Sequence, residues 1–440
     1  MLSACGGNDS PAQSDSSETA GKDDSINNTP AEIIDYAASV VLNMGSSTAK
    51  EEVTVKTFVD GDTVHFYVPT DVISTGVLKA RFLAVDTPES TGKIEEYGKK
   101  ASAFTKEKLS AATSIIIESE DGTWNPDSTG SRYLAWIWYK TADMTEYRNL
   151  NIELLQNGLA IANKSSQNKY GSACISAINQ AKAQKLNIYS GEPDPEFYYG
   201  DAVELTLKEL RTNIEAYNGI KVAFNGVVTS NSGNQGVYVE DYDPETDMYY
   251  GMYIYYGFNI SGTGLDILSV GNEVRIVGSL QYYETGGTWQ VSDLTYRLMK
   301  PDDPGNIQKI SDGNSAAYVT TSAEVFTSEK VTIDVNDAPV TFDYAELAMG
   351  STIEMKGLKV VNVSTTTKED SASNGAMTLT CEVDGYTVHV RTAVLYDENG
   401  QLITEDAYAG KTIDVKGIID YFSGTYQIKV FSQNNITIIN

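Results

Sequence analysis

The chain has 440 residues, more than one ordinary domain holds, so about two to four domains are expected. Hydrophobic residues make up 41% and charged residues 21%, a globular rather than a disordered balance, while 36 Gly and 28 Tyr point to β structure. The net charge of −28 argues against a chain that coats nucleic acid along its whole length, and two His with three Cys are too few for a His-rich zinc site, an all-cysteine cluster or a disulfide framework.

The chain opens Met1-Leu2-Ser3-Ala4-Cys5-Gly6. Leu-Ser-Ala-Cys before Gly resembles the bacterial lipobox, whose cysteine is lipidated and becomes the first residue of the mature protein. The basic and apolar parts of a signal peptide do not precede it, as a misassigned start or a trimmed sequence would leave it. Residues 6–30 are mostly Ser, Asp, Asn, Gly and Thr, the composition of a tether. The expectation is an extracellular protein anchored to the bacterial membrane by a lipid on Cys5. No apolar run approaches the ~18 residues of a membrane span.

Residues 31–44 have the pattern of a short helix. From Val53 the chain reads as strand (VTVKTFV), turn (Asp60-Gly61-Asp62), strand (TVHFYV) and strand (LKARFLAV, 78–85). Glu95 to Ala112 has helical spacing, with Tyr97, Ala101, Phe104 and Leu109 on one face. SIIIES (114–119) and YLAWIWY (133–139) read as strands, and Leu150 to Ala160 and Ser172 to Leu186 as helices. Strands followed by helices suggest an α+β domain on a small barrel.

Gly191 to Pro195 reads as a linker, and two β-rich segments follow that repeat each other. Residues 271–291 and 410–428 share the frame G-x-x-[VI]-x-[VI]-x-G-x-[LI]-x-Y-[YF], then G-T-[WY]-Q-[VI]. GIKVAFNG (219–226) matches GSTIEMKG (350–357), so the pattern is domain duplication, with 301–315 as a connector. The expected division is 1–49 lipobox and tether, 50–190 first folded domain, 191–300 first β domain, and 301–440 linker and second β domain. Charge sorts the same way. Residues 50–190 carry 16 basic and 17 acidic side chains, whereas 191–440 carry 15 and 36. A basic face therefore remains open to the first domain.

That domain holds the residues with chemistry. Asp60-Gly61-Asp62-Thr63 closes a hairpin, Arg81 sits on the third strand, Asp86-Thr87-Pro88-Glu89 ends it, Glu96-Tyr97-Gly98 opens a helix, and Arg132 starts a later strand. Each alone has a plain structural reading as turn, cap or surface ion pair. In combination they suit phosphodiester chemistry. Asp62 and Asp86 are hard oxygen donors of the kind Ca²⁺ takes, and the Thr87 carbonyl adds a neutral one. Arg81 and Arg132 present planar forks that match two phosphate oxygens. Glu89 is a candidate acceptor for the proton of an attacking water.

The stretches VDGDTV (59–64), R-x-L-x-VDTPE-x-T (81–91), EYG-x-x-ASAFTK (96–106), GSR-x-LAWIWY (130–139), LLQNGLA (154–160) and QAKAQKLNIYS (180–190) closely resemble the staphylococcal nuclease (thermonuclease) family, in family order. The resemblance implies a five-stranded OB-type barrel with three helices. It implies Ca²⁺ as cofactor, bound by Asp62, Asp86 and the Thr87 carbonyl, with Arg81, Glu89 and Arg132 catalytic. It implies DNA and RNA as substrates, cut with low sequence specificity to leave 3′-phosphates. The sequence departs from the family before Arg132, where Thr129-Gly130-Ser131 replaces the usual Lys-Tyr-Gly. Trp124, Tyr133 or Tyr170 are the substitutes available for nucleotide stacking.

The whole is thus expected to be mainly β, an α+β nuclease domain followed by two tandem OB-like barrels. No obligate protein partner is predicted. The aromatic-rich C-terminal barrels carry the alternative, a surface binding or adhesion lipoprotein with weak catalysis that uses these modules for nucleic acid, glycan or protein. Cross-strand packing of the tyrosines is the favoured reading there. The acidic run Glu240, Asp241, Asp243, Glu245 and Asp247 reads as a solvated loop, His65 as exposed, and Cys174 and Cys381 as buried thiols.

Overall fold

The computed structural model describes residues 33–90, 94–233, 235–258, 260–284, 286–336, 338–368 and 371–439. Cys5 and the tether up to residue 32 lie outside them. Among the described residues no helix is long and apolar enough to cross a membrane.

The expected first helix is a single turn, α1 (Tyr36–Ser39), started by Asp35, whose carboxylate accepts from Ala38 N. The first barrel is built from β1 (Lys50–Asp60), β2 (Thr63–Tyr67), β3 (Val77–Phe82), β5 (Ser114–Glu118) and β6 (Tyr133–Lys140), with the short β4 (Val85–Asp86) beyond β3. The ring runs β1-β2-β3-β6-β5 and back to β1. The β3–β6 pair is parallel and closes it. Two register shifts let the long β1 bend around the barrel and pair with β2 and β5 in turn. The strand expected over 78–85 is broken, because Ala84 takes a left-handed φ of 67° and turns the chain between β3 and β4.

Helices α2 (Gly98–Ser110), α3 (Leu150–Gln156) and α4 (Gly171–Ala183) flank the barrel and are shorter than their sequence patterns. On α2 the buried face is Gly98, Ala101, Thr105 and Leu109, with Phe104 only half-buried. Strand β6 is buried on both sides, which explains its run of large apolar residues, and Trp136, Ile137 and Trp138 are fully inside.

The same ring recurs twice. A second barrel uses β10 (Lys221–Asn231), β11 (Gly236–Asp243), β12 (Met248–Tyr255), β13 (Glu273–Tyr283) and β14 (Thr288–Ser292). A third uses β19 (Thr352–Thr365), β20 (Met377–Val383), β21 (Tyr386–Thr392), β22 (Thr412–Phe422) and β23 (Thr425–Val430). In both, the first strand pairs with the second and fourth, and the third pairs in parallel with the fifth. All three are therefore closed five-stranded OB-type barrels. The repeated sequence frames fall on equivalent strands, β13–β14 with β22–β23 and β10 with β19.

Segment 301–315 is more than a connector: Gln308–Ser311 forms a strand paired with β13, and Asn306 and Ile307 are buried. The second and third barrels also share one apolar core, which runs from Leu207 to Ile436. Glu240 is correspondingly not in a solvated loop. It lies buried on β11 and accepts from Thr352 N at 2.7 Å, Thr352 Oγ1 at 2.8 Å and Ala317 N at 2.9 Å, tying the two barrels together. Burial pushes its carboxyl above the usual range despite these donors. At the same junction Gly251 lies against Gly350, and a Cβ on Gly251 would overlap the Gly350 backbone. Gly251→Ala is expected to destabilise the junction by about 1–3 kcal/mol through overpacking. Hydrogen exchange of peptides from β12 and β19, which carry or adjoin the contact, measures it, and unchanged protection would contradict the contact.

Cys174 and Cys381 are buried and unbonded to each other, as expected. His65 differs from expectation. It is half-buried on β2, and burial, with Lys79 and Lys56 nearby, pushes its pKa down to about 4, so it stays neutral.

Candidate phosphodiester-cleaving site

The β1–β2 turn delivers the first carboxylates. Gly61 permits a close approach, since a Cβ there would lie 2.8 Å from Thr87 Oγ1 and 3.0 Å from Ala101 Cβ. Thr105 of α2 holds the turn by donating Oγ1 to Gly61 O at 2.5 Å. Asp62 is fully buried. Its Oδ2 accepts from Thr87 N at 3.0 Å, and its Oδ1 accepts from Thr63 Oγ1 at 3.0 Å. Register places Arg81 on β3 opposite Thr63. From there its Nη1 donates to Asp62 and its Nη2 to Asp86, so one guanidinium bridges both carboxylates. Burial raises the Asp62 pKa to about 6, with Arg81 and the Thr87 N–H opposing it.

Glu89 follows on the loop after β4. A Cβ on Gly98 would run into the Glu89 carbonyl, so only glycine lets the start of α2 seat this loop. Glu95 N donates to Glu89 O at 2.9 Å and fixes the other side. Asp60 is the neighbour that sequence reasoning treated only as a turn residue. It is buried, and its Oδ1 accepts from Ser90 Oγ at 2.7 Å and Gly61 N at 2.7 Å. Burial first, then a hydrogen bond and charge repulsion from Asp60, push the Glu89 carboxyl up to about 8.

Arg132, at the start of β6, is aimed by Asp127, to which Nε donates at 2.7 Å and Nη2 at 2.6 Å. Asp127 is held in turn by Thr129 Oγ1 at 2.6 Å. The one-residue shift of Gly130 therefore leaves Arg132 oriented by the loop that carries it. Asp127 escaped sequence reasoning, although its place five residues before Arg132 in a polar loop was a readable signal.

Arg81, Glu89 and Arg132 line one cavity of about 650 Å³. Asp62 and Asp86 join it through Arg81. Lys164, with a left-handed φ of 53°, and Asn168 form another part of the wall. Tyr170 is not available for stacking: it is buried, packs edge-on against Trp136 and Trp138, and donates its hydroxyl to Glu118 at 2.9 Å. Trp124 and Tyr133 are half-buried against the core. A cationic and amide-bearing wall stands where an aromatic one was expected.

Among the described residues no cluster of three or more His, Cys, Asp or Glu is arranged to hold a metal. The side-chain donors present are fewer, the two carboxylates Asp62 and Asp86, with the backbone around Thr87 beside them. They fit a hard cation, because Asp62 and Asp86 already converge on a single positive charge. Thr87 Oγ1 is buried there without a hydrogen-bond partner.

Residues 79–191, about a quarter of the chain, match the family model described as Staphylococcal nuclease homologue. Arg81, Asp86, Thr87, Glu89 and Arg132 fall inside the match, and Asp62 falls just before it on the same barrel.

Proposed function

We propose, from the premise that residues 79–191 are a staphylococcal nuclease-family domain, that this protein hydrolyses phosphodiester bonds of DNA and/or RNA with Ca²⁺ as cofactor. The observation that carries the reading is the bridging of Asp62 and Asp86 by Arg81 on the wall of the cavity that Glu89 and Arg132 also line. Asp62, Asp86 and the Thr87 carbonyl would hold the ion, which supplies Lewis-acid polarisation and charge neutralisation when bound.

The chain's own residues do the rest. Glu89 takes the proton from the attacking water at its carboxylate as the water oxygen bonds to phosphorus, the P–O5′ bond breaks, and the departing O5′ takes up a proton from solvent. Arg132, preset by Asp127, offers two parallel N–H groups to the phosphate oxygens, where negative charge grows at the five-coordinate phosphorus. Arg81, whose two Nη groups hold Asp62 and Asp86 in the metal-free chain, would supply a second fork once a cation takes over those carboxylates. Lys164 and the amide of Asn168 border the path of the strand. Low sequence specificity follows, because these groups address phosphate rather than base edges. A 3′-phosphate product is the family's outcome and is proposed here on that ground.

The test is digestion of plasmid DNA and total RNA by the full chain with Ca²⁺ or with excess EGTA. Cleavage with Ca²⁺ and its loss with EGTA is the expected result, and equal cleavage in both would overturn the cofactor assignment. We further propose an extracellular, membrane-anchored location through Cys5. Mass spectrometry of the N-terminal peptide from the native membrane checks it, with an unmodified Cys5 as the contrary result.

A further inference from the structure

The second and third barrels enclose a cleft of about 600 Å³, outside the site described above and within the size range of small-ligand pockets. Its walls come from the duplicated sequence frame. The first copy contributes Tyr283, Trp289 and Gln290, and the second contributes Asp420, Tyr421 and Phe422. Cross-strand packing accounts for part of this aromatic set, since Tyr282 packs edge-on against Trp289 and Tyr421 packs at a tilt against Tyr426. It does not account for Tyr283 and Phe422, which stay 39% and 62% exposed beside the cleft. The Gly251–Gly350 backbone contact forms part of the lining and holds the two walls at fixed separation.

One lining residue has no structural explanation. Arg211 ends the helix α5 (Leu207–Thr212) and is 6% exposed. Its Nη2 donates to Glu346 O, yet its buried Nε has no hydrogen-bond partner. Among the described residues no carboxylate forms an ion pair with it. Glu346 and Tyr426 act on it only through space, and a buried guanidinium with no carboxylate in ion-pair contact is among the least favourable arrangements in a fold. Burial lowers its pKa to about 10, which leaves it cationic at neutral pH. The other cation of the cleft, Lys429, already has a carboxylate, Asp420, at 3.6 Å.

We propose that this cleft binds a small ligand that joins one anionic group to a flat-faced ring, the anion paired with Arg211 and the ring held by Tyr283, Trp289 and Phe422. The guanidinium is suited to a carboxylate or phosphate, and aromatic faces take either a nucleobase or the C–H face of a sugar. A mononucleotide and a uronic-acid sugar share this chemistry. A long polyanion does not fit, because residues 191–440 carry 36 acidic against 15 basic side chains and would repel it.

The experiment is isothermal titration of the full chain with thymidine 3′-monophosphate and with glucuronate, each beside its neutral partner, thymidine or glucose. The nucleotide arm uses the Arg132→Ala background, so that the nuclease cavity does not contribute. One acid probe should bind saturably and at least tenfold more tightly than its neutral partner, and which one binds identifies the source. Arg211→Gln should weaken that probe at least tenfold, while in the otherwise native chain it leaves DNA digestion unchanged. Phe422→Ala, at an exposed position where folding is safe, should weaken it about threefold or more, and it decides the matter if Arg211→Gln does not fold. Absence of binding by both acids, neutral probes binding as tightly as the acids, or unaltered binding by the folded variants would each overturn the proposal.

Discussion

Glu89→Gln should lower kcat by about 10²–10⁴-fold, the usual contribution of a general base, with a much smaller change in KM. The substitution keeps the shape of the side chain and leaves the Glu95 N–H to Glu89 O bond in place, so the loop against Gly98 should hold its position. The pH profile adds a second readout. With its carboxyl pushed up to about 8, Glu89 is mostly protonated at pH 7 in the metal-free chain, and the base form grows as pH rises. The kcat/KM value should therefore climb with pH on its acid limb. Asp60→Asn removes the neighbouring negative charge and should move that limb to lower pH. Steady-state digestion of a fluorescent oligonucleotide measures both. A Glu89→Gln enzyme within a few-fold of the parent would remove Glu89 from the chemistry.

Glu118→Ala should cost about 3–5 kcal/mol of stability, the loss expected when a buried, fully engaged charge is removed. Glu118 is completely buried at the end of β5. It accepts from Lys169 Nζ at 2.5 Å, Thr48 Oγ1 at 2.7 Å, Tyr170 OH at 2.9 Å and Trp138 Nε1 at 3.0 Å. Alanine would leave the buried Tyr170 and Trp138 donors without their acceptor. Burial raises the Glu118 pKa, but the bonds from Lys169, Thr48 and Tyr170 outweigh it and the net shift is downward from 4.5. A depressed carboxylate stabilises the fold fully above its unfolded pKa and loses that contribution as pH falls through the folded value. The parent chain should thus lose stability below about pH 4.5, and the Glu118→Ala chain should lose less over the same range. Three of the four tryptophans lie in the first barrel, so fluorescence in denaturant reports mainly on it. A midpoint that does not move on substitution would show the network to be dispensable.

Most of the first barrel was legible because its signals are local. Alternation in TVHFYV, the continuous apolar run YLAWIWY, the Asp60-Gly61-Asp62 turn and the helical spacing after Gly98 all act within a few residues. Helix lengths were overestimated where apolar spacing outran the backbone: α3 ends at Gln156, and Gly158 then takes a φ of 63° that ends the helical path. The break at Ala84 was not readable, because a left-handed alanine is tolerated only when surrounding contacts enforce it.

What the sequence determined by itself was the identity of the chemical groups, the duplication of the β modules and the strand pattern, since periodicity and motif order are one-dimensional properties. What only the tertiary structure decided was which groups meet. Asp62 and Asp86 are 24 positions apart and share one guanidinium. Glu240 lay in an acidic run that looked solvated, yet it is buried because the packing of the third barrel on the second brings Thr352 to it across 112 positions. Tyr170, equally plausible as a stacking surface, is inside because two tryptophans need covering. Exposure and pairing of polar side chains depend on chain crossings far apart in sequence, and no local pattern encodes them.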